Sequence, residues 1–380
     1  MFGFDLTEEQ TELKSLARKF AEQEMIPRSR EYDIKEIFAR DVCEKAFAAG
    51  LMNYSVPKDL GGSGLGVLDS SLITEELCYG CAGITNSITA NDLATLPLLI
   101  AGNDEQKRTF LGGLMKQLSF CAFAITEPGA GSDVASMSTA YRREGDGFVL
   151  NGTKHFISNG SVADWIVTFA TSDKRLRHKG ISCFVFPANL PGIARRRMHG
   201  KLGQRAADTG EIVYEDLRIG ASALVGREGE GFKYAMATFD HSRPETAAVG
   251  IGIAQRALDE CVKYSRQRSA FGQPISNFQA LQFMMADMAI EIEAMRLLTY
   301  KAAWLVDQKA PPNVNSSYAK AFCADACMKI TTDAVQIFGG YGYMDEYPVQ
   351  KLMRDAKLLQ IYEGTSQIQR VVIARNLLRD

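Results

Sequence analysis

The sequence lacks the features that would indicate a nucleic-acid-binding or membrane protein. Its 43 basic and 45 acidic residues leave a formal net charge of -2, so no positive surplus is available to hold an anionic polymer or membrane surface. The one short basic cluster, at 174–179, has no interleaved aromatic residues and is interpreted as a solvated loop. No apolar run approaches the roughly 18 residues that a membrane span requires. We therefore expect neither nucleic acid nor a membrane as a partner.

A secretory leader and a metal-binding pattern are also missing. The N-terminal stretch MFGFDLTEEQ has no basic start followed by an apolar run, so we expect a cytoplasmic protein, or an organellar one whose transit peptide has been removed. Without a leader, the eight cysteines favour reduced thiols over a disulfide framework. The pairs Cys78–Cys81 and Cys323–Cys327 lie far in sequence from the four histidines. Buried structural thiols are therefore favoured over zinc, and no metal is predicted.

The glycine fingerprint of dinucleotide-binding folds is absent as well. The segment DLGGSGLG at 59–66 does not satisfy that pattern and follows no clear strand, so it is interpreted as a loop between helices. Apolar residues recur at helical spacing in four segments around it, namely 36–53, 68–80, 84–102 and 104–116. The spacing of Thr7 and Gln10 predicts a capping box at the first helix. Residues 1–118 are therefore predicted to form a helical domain.

The pattern changes to β between about 119 and 231. Asn-Gly pairs at 151–152 and 159–160, each beside β-rich runs, predict hairpin turns in an antiparallel domain. Helical spacing then returns in four long segments, 232–267, 276–309, 314–338 and 349–376. These predict a second helical domain at 232–380. The predicted fold is mainly α with a central antiparallel β domain.

Several stretches carry residues suited to chemistry, although each also has an ordinary structural explanation. AITEPGAGSDVAS at 124–136 leaves backbone N–H groups uncovered for a polar or phosphate-bearing ligand, or forms a turn between two elements. In KHFISNG, Phe156 and Ser158 share one face of a strand, where the ring faces a ligand or the core. Asp240 and Arg243 stand three apart on a helix and either bind one polar group together or pair with each other. Arg268, near a helix break, suits either a phosphate or solvent.

Taken together, these stretches resemble the acyl-CoA dehydrogenase family of flavoenzymes, and most closely its medium- and short-chain members. The resemblance covers essentially the whole chain and rests on motifs in order along it: ITEPGAGSD, NGTKHFISNG, FDHSRP, RSAFGQPISNFQ, AVQIFGGYGY with EYPVQKLMRDAK, and QIYEGTSQIQ. It implies three domains (helical, β-barrel and four-helix bundle), FAD as cofactor, an acyl-CoA substrate, a homotetramer and electron transfer flavoprotein as electron acceptor.

The resemblance also implies roles for individual positions. The FAD contacts would come from Phe123, Ile125, Thr126, Ser132, Phe156, Ser158, Arg268, Phe271, Gln279, Gln336, Gly339, Gly340, Thr365 and Gln367. Phe156 stands where relatives often carry tryptophan, and the residues at 268–279 and 336–340 would reach FAD from a neighbouring subunit. The substrate contacts would come from Ser132, Asp240, Arg243, Tyr362, Gly364, Thr89, Asp92, Phe239 and Ser242.

Glu363 matches the family's catalytic base, which removes the α proton while a hydride leaves the β carbon for flavin N5. Its backbone N–H and a flavin ribityl hydroxyl would bind the thioester oxygen. A base in this role needs a raised pKa, and a bound acyl chain that expels water supplies one. In one branch of the family the base stands at the position of Ser242, and serine cannot serve. Glu363 is therefore the predicted base.

The acyl group is expected to be short, medium or compact. A long aliphatic chain would need an apolar tunnel, whereas Thr89 and Asp92, which would face the acyl chain, are polar. Asp92 either caps a neighbouring helix, the favoured interpretation, or opposes Glu363 and suits an alicyclic substrate such as cyclohexane-carboxyl-CoA. The absence of arginine from 84–98 argues against dicarboxylates. An enoyl-CoA reductase, an oxidase using oxygen and a non-catalytic binding scaffold are the alternative functions. Chain length argues against the oxidase, and Glu363 argues against the scaffold.

Overall fold

The computed structural model describes residues 5–309 and 314–378, and its N-terminal part is helical as predicted. The helices there are α1 (Glu8–Phe20), α2 (Ile26–Ile34), α3 (Arg40–Ala48), α4 (Val67–Gly80), α5 (Ala82–Ala101), α6 (Asp104–Gln106) and α7 (Gly112–Leu114). The predicted capping box is present, since the Gln10 N–H donates to the Thr7 hydroxyl at 3.2 Å. The glycine-rich segment at 61–66 is a loop, and Gly61 and Gly64 adopt φ of +93° and +63°. Positive φ explains why glycines stand there.

A β-sheet fills the middle of the chain. Its strands are β1 (Cys121–Ala124), β2 (Ala140–Glu144), β3 (Gly147–Ser158), β4 (Trp165–Thr171), β5 (Ile181–Pro187), β6 (Ile193–Arg197), β7 (Thr209–Ile219) and β8 (Leu224–Val225). The order is β6-β7-β3-β2-β4-β5-β8, with β1 beside β4. Most neighbours are antiparallel, whereas β4 pairs in parallel with β1 and β2. The basic cluster at 174–179 lies in an exposed 3₁₀ segment between β4 and β5, and it includes Arg175 paired with Asp173.

The predicted hairpin turn at Asn151–Gly152 is wrong. Both residues lie inside β3, whose pairing with β7 shifts register between Leu150 and Gly152. The turn between β2 and β3 falls at Gly145–Asp146 instead. Asn159 and Gly160 do end β3, but β3 does not pair with the next strand, so this turn closes no hairpin either.

Long helices return after the sheet. They are α8 (Gly231–Gln267), α9 (Gln279–Asp307), α10 (Asn315–Phe338), α11 (Val349–Lys357) and α12 (Ser366–Leu377), and a short pair, β9 (Ser269–Ala270) and β10 (Gln273–Pro274), follows α8. α8, α9 and α10 pack against one another and α12 packs on α10. The predicted continuous helix over 349–376 is wrong, because it is interrupted between α11 and α12. Glu363 and Gly364, in this interruption, have φ of +56° and +84°.

The cores of these parts are apolar and enclose the thiols. All eight cysteines are buried and unpaired. Within 5–309 and 314–378, no group of three or more histidine, cysteine or acidic side chains is placed to hold a metal ion. Every helix described is too short or too polar to cross a bilayer. The domain bounds at 118 and 231 stay a prediction, although the change from helix to sheet and back occurs near them.

Candidate active site

Glu363 lies in the interruption between α11 and α12, where side chains from two other helices hold it. The Ser242 hydroxyl of α8 donates to Glu363 Oε2 at 2.6 Å. From α10, Lys320 Nζ donates to the Gly364 carbonyl at 2.6 Å. Gln369 Nε2 donates to the carbonyls of Glu363 at 3.1 Å and Gly364 at 3.0 Å. These carbonyls are therefore bound by side chains rather than by the N–H groups of a continuing helix.

Glycine is required beside the glutamate. Gly364 adopts a φ of +84°, which disfavours L side chains, and a Cβ there would stand 2.7 Å from Gln369 Nε2. Thr365 then begins α12 by accepting the Ile368 N–H at 3.1 Å. The YEGT sequence thus encodes a turn followed by an N-cap, and the turn presents the carboxylate of Glu363.

The environment of Glu363 suits a proton acceptor. Burial raises the pKa of Glu363, while the Ser242 hydrogen bond and then the charges of Arg243 and Lys320 lower it. The result is a pKa above the ordinary value for glutamate. A carboxylate of raised pKa is a stronger base than an exposed one.

The FDHSRP motif forms part of α8 next to this group. Asp240 and Arg243 pair across one helical turn, Nη1 to Oδ1 at 2.6 Å, which is the intrahelical alternative for these residues. The Arg243 Nε is buried without a hydrogen-bond partner. The Phe239 ring lies 5.7 Å from the ring of Phe123 on β1, edge to face. This contact joins the strand that precedes ITEPGAGSD to the helix that carries Ser242.

Asp92, on α5, is almost fully buried, and 4% of its surface is exposed. Its Oδ1 accepts the Ser55 hydroxyl at 2.6 Å, whereas its buried Oδ2 has no hydrogen-bond partner. The favoured interpretation of Asp92 as a helix cap is therefore wrong, since its partner is a side chain. Thr89, on the same helix, donates its hydroxyl to the Thr85 carbonyl at 3.1 Å. Burial raises the pKa of Asp92 to about 7.

A third carboxyl, that of Glu245, lies one helical turn beyond Ser242 on α8. Burial, followed by the charges of Asp92 and Glu363, raises its pKa well above the ordinary value. No cation is among the groups that shift the pKa of Asp92 or Glu245 in the part of the chain that the structure describes. The sequence reasoning missed Glu245, because a glutamate after Arg-Pro in a long helix is usually solvent-facing.

The ITEPGAGSD segment is fixed by two consecutive residues of β3. Lys154 is fully buried and donates to the Ile125 carbonyl at 3.1 Å and to Glu127 Oε1 at 2.9 Å. The His155 N–H donates to the Thr126 carbonyl at 2.8 Å. Glu127 in turn accepts the Thr139 N–H at 2.9 Å. Lys154 and Glu127 therefore fasten both ends of the loop that precedes β2.

Phe156 occupies a β-bulge next to this loop. The register of β3 on β7 shifts between Lys154 and Ile157, and Phe156 adopts a φ of +59°. Its ring is turned out of the sheet and is 63% exposed. A strained, exposed aromatic ring beside a fastened loop is typical of a ligand surface.

A separate cleft of about 670 Å³ lies between the start of the short β9–β10 pair and the end of α10. It is lined by residues that include five of the predicted cofactor contacts, Arg268, Phe271, Gln336, Gly339 and Gly340. A Cβ at either glycine would meet open space, and Gly339 has a φ of +59°. These features leave backbone accessible to a large polar ligand.

The structure thus gathers the predicted residues into three places. Glu363, Gly364, Ser242, Asp240 and Arg243 form one group, the loop residues with Phe156 and Ser158 a second, and the cleft a third. Ser132 is exposed in the loop, and Gln279 and Gln367 are exposed at the first turns of α9 and α12. Lys320 and Gln369 were not predicted from the sequence. The one pattern that could have indicated Lys320 is a lone lysine among small apolar residues in α10.

Three family models match almost all of this chain. They describe the acyl-CoA dehydrogenase N-terminal domain at residues 7–117, the middle domain at 122–217 and the C-terminal domain at 229–378. The matches follow the same order as the helical, β and helical parts.

Full-length relatives agree. A probable medium-chain specific acyl-CoA dehydrogenase of Caenorhabditis briggsae is 42% identical over 379 residues, covering 99% of this chain and 92% of that protein. A chain from the structure of an electron transferring flavoprotein of Acidaminococcus fermentans superposes with a TM-score of 0.97 at 43% identity, covering 100% of both chains. Butyryl-CoA dehydrogenase from Megasphaera elsdenii superposes with a TM-score of 0.96 at 39% identity, again over 100% of both chains.

Proposed function

Because the chain belongs to the acyl-CoA dehydrogenase family, we propose that it converts an acyl-CoA thioester to the 2-enoyl-CoA with Glu363 as the base that removes the α proton. It is an enzyme of the CH–CH oxidoreductase type, and FAD is its cofactor. The observation that carries the proposal is the carboxylate of Glu363, presented by a left-handed turn and held by Ser242 at 2.6 Å.

The residues present suit FAD. The chemistry that FAD supplies when bound is hydride acceptance. Phe156, exposed at its bulge, and the Thr126 loop provide a planar surface for an aromatic ring system, and the cleft at Arg268 and Gly339 provides a cation and open backbone for a pyrophosphate. We propose that these are the two ends of the cofactor site, the loop and Phe156 coming from one subunit and the cleft from a neighbouring one.

Each protein group then has a defined task. Glu363 accepts the α proton, and Ser242 orients the carboxylate through Oε2. The Ser242 hydrogen bond, and after it the charges of Arg243 and Lys320, oppose the rise that burial causes in the pKa of Glu363 and so favour its ionised form. Phe239 and Tyr362 bring apolar surface to the site and exclude water around the acyl group. The Asp240–Arg243 pair is proposed to contact the CoA portion.

The acyl group is proposed to be short, medium or compact. Butyryl-CoA dehydrogenase from M. elsdenii shares the fold over its full length, and the match to the medium-chain specific relative covers 92% of that protein. We also propose a homotetramer, since the ring of Phe271 at the cleft is 95% exposed and offers a surface for a second copy. The proposed electron acceptor is electron transfer flavoprotein, which the similarity to a chain of the Acidaminococcus fermentans structure supports. Sedimentation of the purified protein measures the assembly, and a monomer would contradict it.

An anaerobic titration tests the proposed reaction. The yellow protein is mixed with butyryl-, octanoyl- and cyclohexane-carboxyl-CoA, and the flavin absorbance near ~450 nm is followed. We expect at least one of these thioesters to bleach the flavin and to yield the 2-enoyl-CoA. Absorbance that is retained with all three acyl-CoA thioesters, and that does not return when the chemically reduced flavin is mixed with the matching enoyl-CoA esters, would contradict the proposal.

An alicyclic acyl-CoA is a second candidate substrate, and one observation favours it. The buried Asp92 Oδ2 has no partner, and the pKa of Asp92 is raised to about 7, so this carboxyl can exchange a proton near neutral pH. A ring substrate offers protons at more than one carbon, and a second carboxyl suits that chemistry.

The substitution Asp92→Asn tests this candidate. We expect turnover of cyclohexane-carboxyl-CoA to fall by about 10²-fold or more, the range for a lost acid–base group, and turnover of butyryl-CoA to fall far less. Rates measured with both thioesters on both proteins check it. An equal loss of turnover with the two thioesters would contradict the proposed role of Asp92 as a second acid–base group.

The pH dependence of unfolding supplies an independent measure of the Asp92 charge. A carboxyl whose pKa is raised in the folded state contributes stability that is complete below its unfolded value and is lost as pH rises through the folded one. The wild type should therefore lose stability as pH rises from about 4, the ordinary aspartate pKa, to about 7, and Asp92→Asn should lose less. Chemical denaturation at several pH values compares them.

A further inference from the structure

Lys320 is a buried cation next to the catalytic segment. It lies on α10 among Ala319, Ala321 and Cys323, and only 1% of its surface is exposed. A lysine is almost never buried without a partner. Its partner here is the Gly364 carbonyl, at 2.6 Å from Nζ, rather than a carboxylate. The buried charge therefore remains available to a nearby acid.

The acid whose charge acts most strongly on Lys320 is Glu363, which precedes Gly364. Lys320 and Glu363 influence each other, since the charge of Glu363 raises the pKa of Lys320 and the charge of Lys320 lowers that of Glu363. Burial is the larger effect on Lys320 and brings its pKa to about 8, so its ammonium is charged at pH 7.

We infer that Lys320 is a positioning residue that holds the Glu363–Gly364 turn through the Gly364 carbonyl and favours the ionised carboxylate of Glu363 through its charge. The inference rests on the proposed role of Glu363 as the base. Two functions are combined in one side chain. The hydrogen bond satisfies the Gly364 carbonyl, which a helical N–H would have bonded in a continuous helix. The ammonium charge acts on the carboxylate of Glu363, one residue earlier.

Other charged groups act on Glu363 from the elements that pack around it. α8 contributes Arg243, which lowers its pKa, and also Glu245, a carboxyl whose own pKa is raised by burial and by the charges of Asp92 on α5 and of Glu363. α10 contributes Lys320 and, acting on Lys320, Asp325. Arg243 is already paired with Asp240 at 2.6 Å. Lys320 is therefore the cation in this group that is held by a neutral partner.

Three variants separate the hydrogen bond from the charge. Lys320→Met removes both and keeps an unbranched chain, while Lys320→Gln keeps an N–H donor without the charge. Gln369→Leu removes donors to the carbonyls of Glu363 and Gly364 and leaves the charge. Lys329→Met is the matched control on the same helix, because that side chain is 53% exposed and pairs with Glu291 at the surface.

The first measurement is the pH profile of kcat/KM. We expect the ascending limb to move to higher pH by about one unit in Lys320→Met and Lys320→Gln, a tenfold loss at low pH that is regained at high pH. Gln369→Leu should lower the plateau without moving the limb, and Lys329→Met should match the wild type. An equal loss at every pH in both Lys320 variants would overturn the inference.

The second measurement does not depend on turnover. Infrared difference spectra follow the carboxylic C=O band of Glu363, identified by its absence in Glu363→Gln, as pH is varied. The band should persist to higher pH in both Lys320 variants than in the wild type, and an unmoved band would overturn the inference. If the band moves but no acyl-CoA is oxidised by the wild type, the coupling holds and the proposed function fails.

Discussion

Glu363→Gln is expected to lower kcat by about 10²- to 10⁴-fold, the range by which a positioned general base accelerates proton transfer. The amide keeps the size of the side chain and still accepts the Ser242 hydroxyl, which lies 2.6 Å from the carboxylate in the wild type. It cannot take up a proton. The loss should therefore appear in kcat at saturating substrate, with little change in flavin content or in the binding of the CoA ester.

The pH dependence distinguishes this loss from damage to the fold. Burial raises the pKa of Glu363, so kcat/KM of the wild type should rise with pH as the carboxyl ionises. The variant should lack that limb. Glu293→Gln on α9 is the control, since this glutamate is 64% exposed and 3.8 Å from its partner Arg296. A variant at Glu363 that retained both the rate and the limb would show that the base lies elsewhere.

The helices of this protein could be predicted from sequence where their own periodic residues form the core. α8 was predicted at 232–267 and occurs at Gly231–Gln267, and α10 was predicted at 314–338 and occurs at Asn315–Phe338. In each, the apolar spacing and the buried face coincide. The local pattern is therefore enough to place these two helices, although tertiary packing stabilises them.

The interruption that carries Glu363 could not be predicted in that way. Leu359 and Tyr362 continue the helical spacing of α11, and both pack on the core of the C-terminal helices. What replaces the helical hydrogen bonds is the side chain of Lys320, 44 residues from Gly364, together with Gln369. A pattern within one segment does not contain that information.

The Asn151–Gly152 pair shows the same limit in the sheet. Asn-Gly strongly favours a two-residue turn, yet β3 runs through it because it pairs with β2 on one side and β7 on the other. Gly152 is still needed, since a Cβ there would lie 2.6 Å from the Thr139 backbone. Close packing, rather than a turn, explains the glycine.

Site residues were predictable where a motif carried them, and buried lysines were not. Glu363, Arg268 and Gly339 follow from the family motifs, and the structure places the last two together in one cleft. Lys154 lies in a motif as well, whereas Lys320 lies outside the motifs, and in both cases a lysine suggests an exposed side chain. Their burial depends on carbonyl and carboxylate partners contributed by other segments.

Lys154→Met is expected to destabilise the holoenzyme by about 3–5 kcal/mol, the cost of leaving a buried charge without its partner. Burial by itself would raise the pKa of Glu127, but the charge of Lys154 and the surrounding hydrogen bonds bring it down to about 2. Without Lys154, Glu127 must either stay charged in an apolar setting or take up a proton. Either outcome weakens the loop that bears Thr126.

Lys154→Met should also retain less flavin than the wild type. The Ile125 carbonyl, which accepts from Lys154 at 3.1 Å in the wild type, loses this donor, and Ile125 belongs to the proposed flavin-binding loop. Denaturant unfolding of the holoenzyme measures the loss of stability, and flavin absorbance per chain after dialysis measures the loss of flavin. Arg143→Met is the control. Arg143 pairs with Glu228 at the surface, where the two side chains are 60% and 33% exposed, respectively. Such exposed ion pairs contribute about 0–1 kcal/mol to stability.

The double variant Lys154→Met with Glu127→Gln determines whether the pair or the lysine alone is responsible. If the cost comes from an unpaired charge, the double variant should recover part of the stability that Lys154→Met loses, because no buried charge is left unmatched. Additive losses would show that each side chain acts through its own hydrogen bonds to the loop. A cost in Lys154→Met no larger than that in Arg143→Met would contradict both explanations, since a fully buried pair and an exposed one would then contribute equally.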